Sequence, residues 1–330
     1  MRKRIICLSL SFAIIVLGCL SMFSCTNNIN IIEPIPDTGT SEIETRKNEY
    51  EIYTYKGGEG GPMVTPDYSG KELFVSNMIE KEGVEKKSIV IFDDECAFSY
   101  AGTIDFGVYD ERYDDYNSDK CIIQVGENTG RIGSFSHGNP NSVRFSIVPP
   151  VNAHSTCQEF IDYASDVLLK NSGVSTSDCE VEIKTSNIHT TYKYTKEEIN
   201  QDFVNFIDYD PSFTADYKIV FHKKLGGINR IDDISVTIKN DGTVMRFRAR
   251  VCDEKFKKYS GVFIDKELVM KMVADKFEHT VSGKDLRITD KQLYAVPDGD
   301  NLWVLAKVYY KWESNGEVLS SVVQYLVRVV

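Results

Sequence analysis

Apolar residues recur at helical spacing in two stretches of this chain and at alternate positions through much of the rest. Phe160, Ile161, Ala164, Val167 and Leu168 fall on one face of a helix. Ser155-Thr156 followed by Gln158-Glu159 offers a capping box at its start, and Ser172-Gly173 supplies a left-handed stop. A further helix starts at Asp265, with Leu268, Val269, Met272, Val273 and Phe277 as its apolar face and Ser282-Gly283 as its end. A weaker pattern predicts another helix near 70–82. Strands are predicted at 88–92, 98–109, 293–296, 302–312 and 318–330. In 302–312, Trp303, Leu305, Lys307 and Tyr309 alternate with Val304, Ala306, Val308 and Tyr310, two faces of one strand, with Asn315-Gly316 at the following turn.

Two landmarks repeat. Residues 122–135 and 234–247 each read as a strand, an Asn-x-Gly turn and a return strand, at an offset of 112. The two clear helix endings lie 110 residues apart. Near-equal offsets predict an internal duplication. One apolar stripe per helix and one apolar face per strand predict an α+β chain of tandem units, each a helix packed on an antiparallel sheet. The expected divisions are 1–25, 26–66, 67–150, 151–258 and 259–330.

The first 25 residues change the picture of location. Arg2, Lys3 and Arg4 precede an apolar run from Ile5, and small residues stand directly before cysteine at Gly18-Cys19 and Ser24-Cys25. This is the pattern of a bacterial lipoprotein signal peptide, predicting a chain held at the cell membrane by lipid on Cys19 or Cys25 and facing the extracellular or periplasmic side. Cys19 follows the more usual Val16-Leu17-Gly18; Cys25 precedes polar Thr26-Asn27-Asn28. A single membrane-spanning anchor over 5–23 and a cleaved signal without lipid are the competing readings. Residues 26–66, polar and then Gly-rich at 57–61, read as a flexible tether.

The chain carries a net charge of −11; without Arg2, Lys3 and Arg4, 35 basic residues face 49 acidic ones, a net −14. That balance argues against nucleic acid as a partner. Five cysteines follow the signal: Cys96, Cys121, Cys157, Cys179 and Cys252. They show no CxxC spacing, which argues against a zinc or thioredoxin-type site. They are expected as buried thiols, with one or two disulfides as the alternative in an exported protein.

The segment YKIVFHKKLGGINRIDDISVTIKNDGTVMRF, 217–247, resembles the PepSY-type and thermolysin-propeptide-type modules, through Gly227-Ile228, the strand Ser235-Val236-Thr237-Ile238 and the turn Asn240-Asp241-Gly242. The following helix and LYAVPDGDNLWVLAKVYYKW resemble the next module of YcdB-like exported proteins, which carry such modules in tandem. The resemblance implies cystatin-like helix-on-sheet units and, from the propeptide members, a role in inhibiting or assisting a peptidase. No HExxH is present, and no attached peptidase is expected.

Candidate chemistry is sparse. No histidine has a second histidine four residues away. Cys157 falls in the first turn of a predicted helix, where the dipole lowers a thiol pKa, with His154 nearby. Asp115, Asn117 and Asp119 imitate the first ligands of an EF-hand loop, but Lys120 and Gly126 replace its Gly and Glu. Tyr109, Tyr113 and Tyr116, with Asp114, Asp115 and Asp119, form an acidic Tyr-rich segment expected to grip a protein or peptide partner in the envelope, with a peptidase as the candidate. Tyr192 and Tyr194 are a second aromatic pair. No catalytic residue, metal ligand or cofactor is expected. The leading expectation is a non-enzymatic, lipid-anchored protein that binds its partner through exposed sheet edges or this acidic Tyr-rich segment. The alternatives are a cysteine-dependent hydrolase acting through Cys157 and a structural spacer of an envelope complex.

Overall fold

A computed structural model describes residues 50–54, 77–79, 86–137, 145, 148–152, 154–186, 191–194, 216–282, 284–314 and 316–329. Among them, 54% lie in strands and 18% in helices. The strands are β1 (Glu51–Thr54), β2 (Asn77–Ile79), β3 (Lys87–Ile91), β4 (Asp94–Asp105), β5 (Tyr113–Asn117), β6 (Cys121–Gly126), β7 (Ile132–His137), β8 (Glu180–Ser186), β9 (Thr191–Tyr194), β10 (Asp216–His222), β11 (Lys224–Leu225), β12 (Ile228–Arg230), β13 (Asp233–Lys239), β14 (Val244–Arg250), β15 (Lys284–Asp298), β16 (Asn301–Ser314) and β17 (Glu317–Arg328). Helix α1 spans Cys157–Ser172, α2 Asp253–Phe256 and α3 Lys266–Thr280.

The expectation of tandem helix-on-sheet units does not hold. The strands form two large sheets instead. One has the order β1-β17-β16-β15-β12-β11; the other runs β2-β4-β5-β6-β7-β14-β13-β10-β8-β9, with β3 on β4. The physical reason is the pairing of β7 with β14, which joins the strands of the first two expected units through one antiparallel ladder. Each hairpin left a strand edge unpaired, and each edge found the other rather than ending a unit. Residues 77–79, inside the helix expected near 70–82, are a strand paired to β4; the rest of that expectation lies outside the described residues.

The two repeated hairpins therefore lie side by side, return strand against return strand. Phe135 stands directly opposite Phe247, the position that the 112-residue offset equates with it. Their rings stack at 5.6 Å between centroids, 23° apart.

On one face of the larger sheet, cross-strand register lines up Tyr116, Ile123, Phe135, Phe247, Val236, Ile219 and Ile183, all buried. Helix α1 belongs to the same core, burying Phe160, Ile161, Tyr163, Ala164, Val167 and Leu168. Each such apolar side chain contributes about 1.5–3 kcal/mol when fully buried. Its ends follow the local chemistry: Thr156 and Glu159 form the reciprocal capping box, and Gly173 closes the helix at φ 68°. Helix α3 begins at Asp265, whose carboxylate accepts from Leu268 N. It ends at extended Val281 rather than at Gly283, which lies outside the described residues. It belongs to a second core with β15, β16 and β17, where Phe277 meets Tyr310 edge-on at 5.4 Å.

A polar and aromatic junction ties the sheets together. Phe106, Val108 and Tyr109, from the loop after β4, join the second core. Asp110 accepts from Glu254 N and Lys255 N and so caps α2. Arg230 Nη2 donates to Asp253, which also receives Lys223 Nζ, each close to 2.9 Å. The Asp232 carboxylate accepts from Cys252 N.

Candidate functional site: a cationic row on the larger sheet

The face of the larger sheet opposite α1 carries the alternate residues of the same strands. One row across them reads Asn117, Ile122, Ser136, Arg246, Thr237, Lys218, Lys184. Its charged members are all cations. Lys218 and Lys184 are direct cross-strand partners, an arrangement that is destabilising for like charges. Arg248 stands two residues along β14 from Arg246, where side chains share a face.

The electrostatics match this geometry. Burial holds the Lys218 ammonium below the ordinary lysine range; Asp233 is the largest charge contribution and opposes the shift, and Arg248, Lys184 and Arg246 add to it. Carboxylates lie to either side of the row. Glu182 sits 3.4 Å from Lys184, and Asp233 sits 3.2 Å from Arg248. On the other flank Asp216 faces Lys239 across the strands. The result is a narrow positive line bordered by acidic groups, on a chain of net negative charge.

The charge is asymmetric between the repeats. At the 112-residue offset, Arg246 and Arg248 correspond to Ser134 and Ser136. At these two positions the second hairpin supplies guanidinium groups and the first supplies hydroxyls in the facing strand. The signal in the sequence was Arg246-Phe247-Arg248-Ala249-Arg250, a period-two basic pattern. The third arginine is structural: the Arg250 guanidinium donates to Gln124 Oε1 and lies over Phe106, 4.4 Å from its centroid.

The segment expected to grip a partner is placed differently from a solvent-facing loop. Tyr113 and Tyr116 are buried in β5, and Tyr109 is half-buried beside them. Tyr109 and Tyr113 lie 5.8 Å from the Arg250 guanidinium, and burial raises both phenols. Tyr116 meets Tyr100 edge-on. Asp114 accepts from Thr103 Oγ1 at 2.5 Å. Asp115 faces Gln124 across the strands, and burial pushes its carboxyl up to about 6. Asp119 is exposed on the wall of a cavity of about 360 Å³, shared with Lys86, Ser99 and Asn117. The polypeptide thus uses these tyrosines for packing, and the six residues do not converge on one surface. The side chains of Tyr192 and Tyr194, and both Cys19 and Cys25, lie outside the described residues.

Cys157 stands in the first turn of α1, as the capping pattern predicts, but it is only 2% exposed. Burial pushes its thiol up to about 12, the reverse of activation by the helix dipole. His154 is exposed. The five cysteines are free thiols; Cys179 is half-buried and the others are buried. Among the described residues, no group of three or more His, Cys, Asp or Glu side chains is placed to hold a metal ion. No helix among them is long and apolar enough to cross a membrane. No family model, no curated protein and no solved structure matches this chain.

Proposed function

We propose that the protein is a non-enzymatic, lipid-anchored protein of the cell envelope that binds a protein partner through the cationic row of its larger sheet. The observation that carries this reading is the register that brings Lys184, Lys218 and Arg246 into one line with no acidic member. Like charges set face to face cost stability, and the carboxylates of Glu182 and Asp233 offset part of that cost from beside the row. Recognition by charge-assisted hydrogen bonds to carboxylates is the chemistry that such a line performs. The signal-like N-terminus, with lipid on Cys19 or Cys25, supports the location. The buried, high-pKa thiol of Cys157 gives a hydrolase reading no support.

The test compares the wild-type protein with the Lys218→Glu, Arg246→Glu double variant, each immobilised and exposed to envelope fractions. A partner held by the wild type at low salt, released by salt and lost on charge reversal is expected. An identical set of captured proteins on both would overturn the reading. Growth with a labelled fatty acid tests the anchor: incorporation lost in Cys19→Ala or in Cys25→Ala identifies the lipidated residue, and no incorporation refutes the anchor.

A further inference from the structure

Two strands of the smaller sheet have outer edges that are only partly covered, and the two edges differ. Beyond its pairing with β12 at Tyr294 and Ala295, β15 carries Asp285, Arg287, Asp290 and Lys291, and its register shifts twice. Charges and bulges of this kind guard an edge against other strands. β17 has no such guard. β1 covers it only from Tyr325 to Arg328, and among the described residues no strand pairs with the outer edge of Val318–Gln324. That run holds no charge, no proline and no register shift. Its Val318 is 72% exposed and its Leu319 39%.

We infer that β17 pairs through this edge with β17 of a second copy of the chain, antiparallel, about a two-fold axis at Ser321. Identical strands paired antiparallel lie about an axis perpendicular to the sheet, so one residue stands opposite itself and each face of the sheet continues into the same face of the other copy. Ser321 is the middle of the free run. Centring the axis there uses the whole run, about 24 Å of strand. It also leaves β1 of each copy in place, since Thr54 stops at Tyr325, one residue past the run.

The rows that result are matched. On the face where Phe277 of α3 meets Tyr310, the row from Trp312 through Leu319 continues into Val323 and Val308 of the second copy. On the other face Ser320 meets Val322, and Val318, with Glu313 beside it, meets Gln324, with Lys307 beside it. The end of each hairpin that carries Glu313 and Glu317 thus lies along the end of the other that carries Lys307. Lys307 and Lys311 balance these two carboxylates, so two chains of net charge −11 meet where the local charge is neutral. The contact is narrow, below the about 1,200 Å² of a standard interface, so the dimer forms and dissociates with concentration.

The test is sedimentation of the full-length protein in mild detergent from about 1 μM to about 1 mM, the range that weak contacts span. A monomer–dimer equilibrium is expected. Val318→Lys sets a cation against Gln324 and Lys307 of the second copy, and it should weaken the dimer at least about tenfold, or about 1.4 kcal/mol. Val318 is exposed, so circular dichroism should show the fold unchanged. A nitroxide on Ser320→Cys gives the register: the two labels lie diagonally across the axis, with about 7–8 Å between backbones. Its spectrum should broaden as the dimer forms and sharpen on dilution with unlabelled protein. A monomer at every concentration, or a dimer indifferent to Val318→Lys, would overturn the inference. So would a monomer whose captured envelope proteins change with Val318→Lys, which assigns the edge to a different chain. The inference goes beyond the cationic row and stands or falls without it.

Discussion

Lys218→Met should make the protein more stable. Methionine keeps an unbranched apolar stem in a half-buried site and removes the ammonium. In the wild type that ammonium faces Lys184 directly and lies within the fields of Arg246 and Arg248. A like-charged cross-strand pair costs about 0.2–1 kcal/mol. Asp233 offsets part of the repulsion, so a net gain below about 1 kcal/mol is expected. For a protein of this size that is a rise in Tm of at most about 4 °C. The sign with pH follows from the lowered lysine pKa. The charged form is disfavoured in the folded state, so the wild type bears the full cost below its folded pKa. It escapes that cost as pH passes the ordinary lysine value of about 10.4. The advantage of the variant is therefore greatest near neutral pH, shrinks toward pH 10, and falls in about 1 M salt, where screening acts over about 3 Å. Urea unfolding followed by circular dichroism measures the difference. A double-mutant cycle with Lys184→Met should show the two gains overlapping rather than adding. A variant destabilised by more than about 1 kcal/mol, with no dependence on salt, would refute the cationic-row account.

Three further outcomes follow from the core and its surroundings. Phe247→Ala should cost about 3–5 kcal/mol in urea unfolding, because its ring is fully buried at the joint of the two hairpins and stacks on Phe135; a cost below about 1 kcal/mol would contradict that packing. Gly242→Ala should destabilise by more than about 1 kcal/mol in the same measurement, since the residue sits at φ 82° and a Cβ there would lie 2.3 Å from Pro149 Cβ and 2.4 Å from Val151 O. For Asp115, a folded-state carboxyl raised to about 6 means stability that is fully present below about pH 4 and is lost as pH rises through 6. Asp115→Asn should flatten stability across that window and gain about 1–2 kcal/mol at pH 7, a gain whose absence would show that the carboxylate is better solvated than its burial implies.

Local features of the fold were legible where a few neighbouring residues decide the outcome. The capping box of Thr156 and Glu159, the stop at Gly173 and the turn at Asn240-Asp241-Gly242 are set by hydrogen bonds and backbone angles within one turn. The alternation of Trp303 through Tyr310 assigned the two faces of β16 correctly, because side-chain direction alternates along any strand. The tyrosines of the acidic segment misled for the converse reason. Composition alone presents Tyr109, Tyr113 and Tyr116 as a binding surface, but whether a tyrosine faces water depends on what packs over it. Here Phe106 and the Arg250 guanidinium pack over Tyr109 and Tyr113, and Tyr100 packs against Tyr116.

The amino-acid sequence by itself determined the capped helices, the hairpin turns, the faces of the strands and the pattern at the N-terminus. These depend on interactions a few residues apart. Only the tertiary structure decided that β7 pairs with β14, that the first two expected units share one sheet, and that Lys184, Lys218 and Arg246 stand in one row. A strand's sequence specifies which side is apolar, but its edge hydrogen bonds are nearly the same whichever neighbour they meet. The choice of neighbour and register therefore rests with the whole core, and the charges on the opposite face are carried into place by that choice.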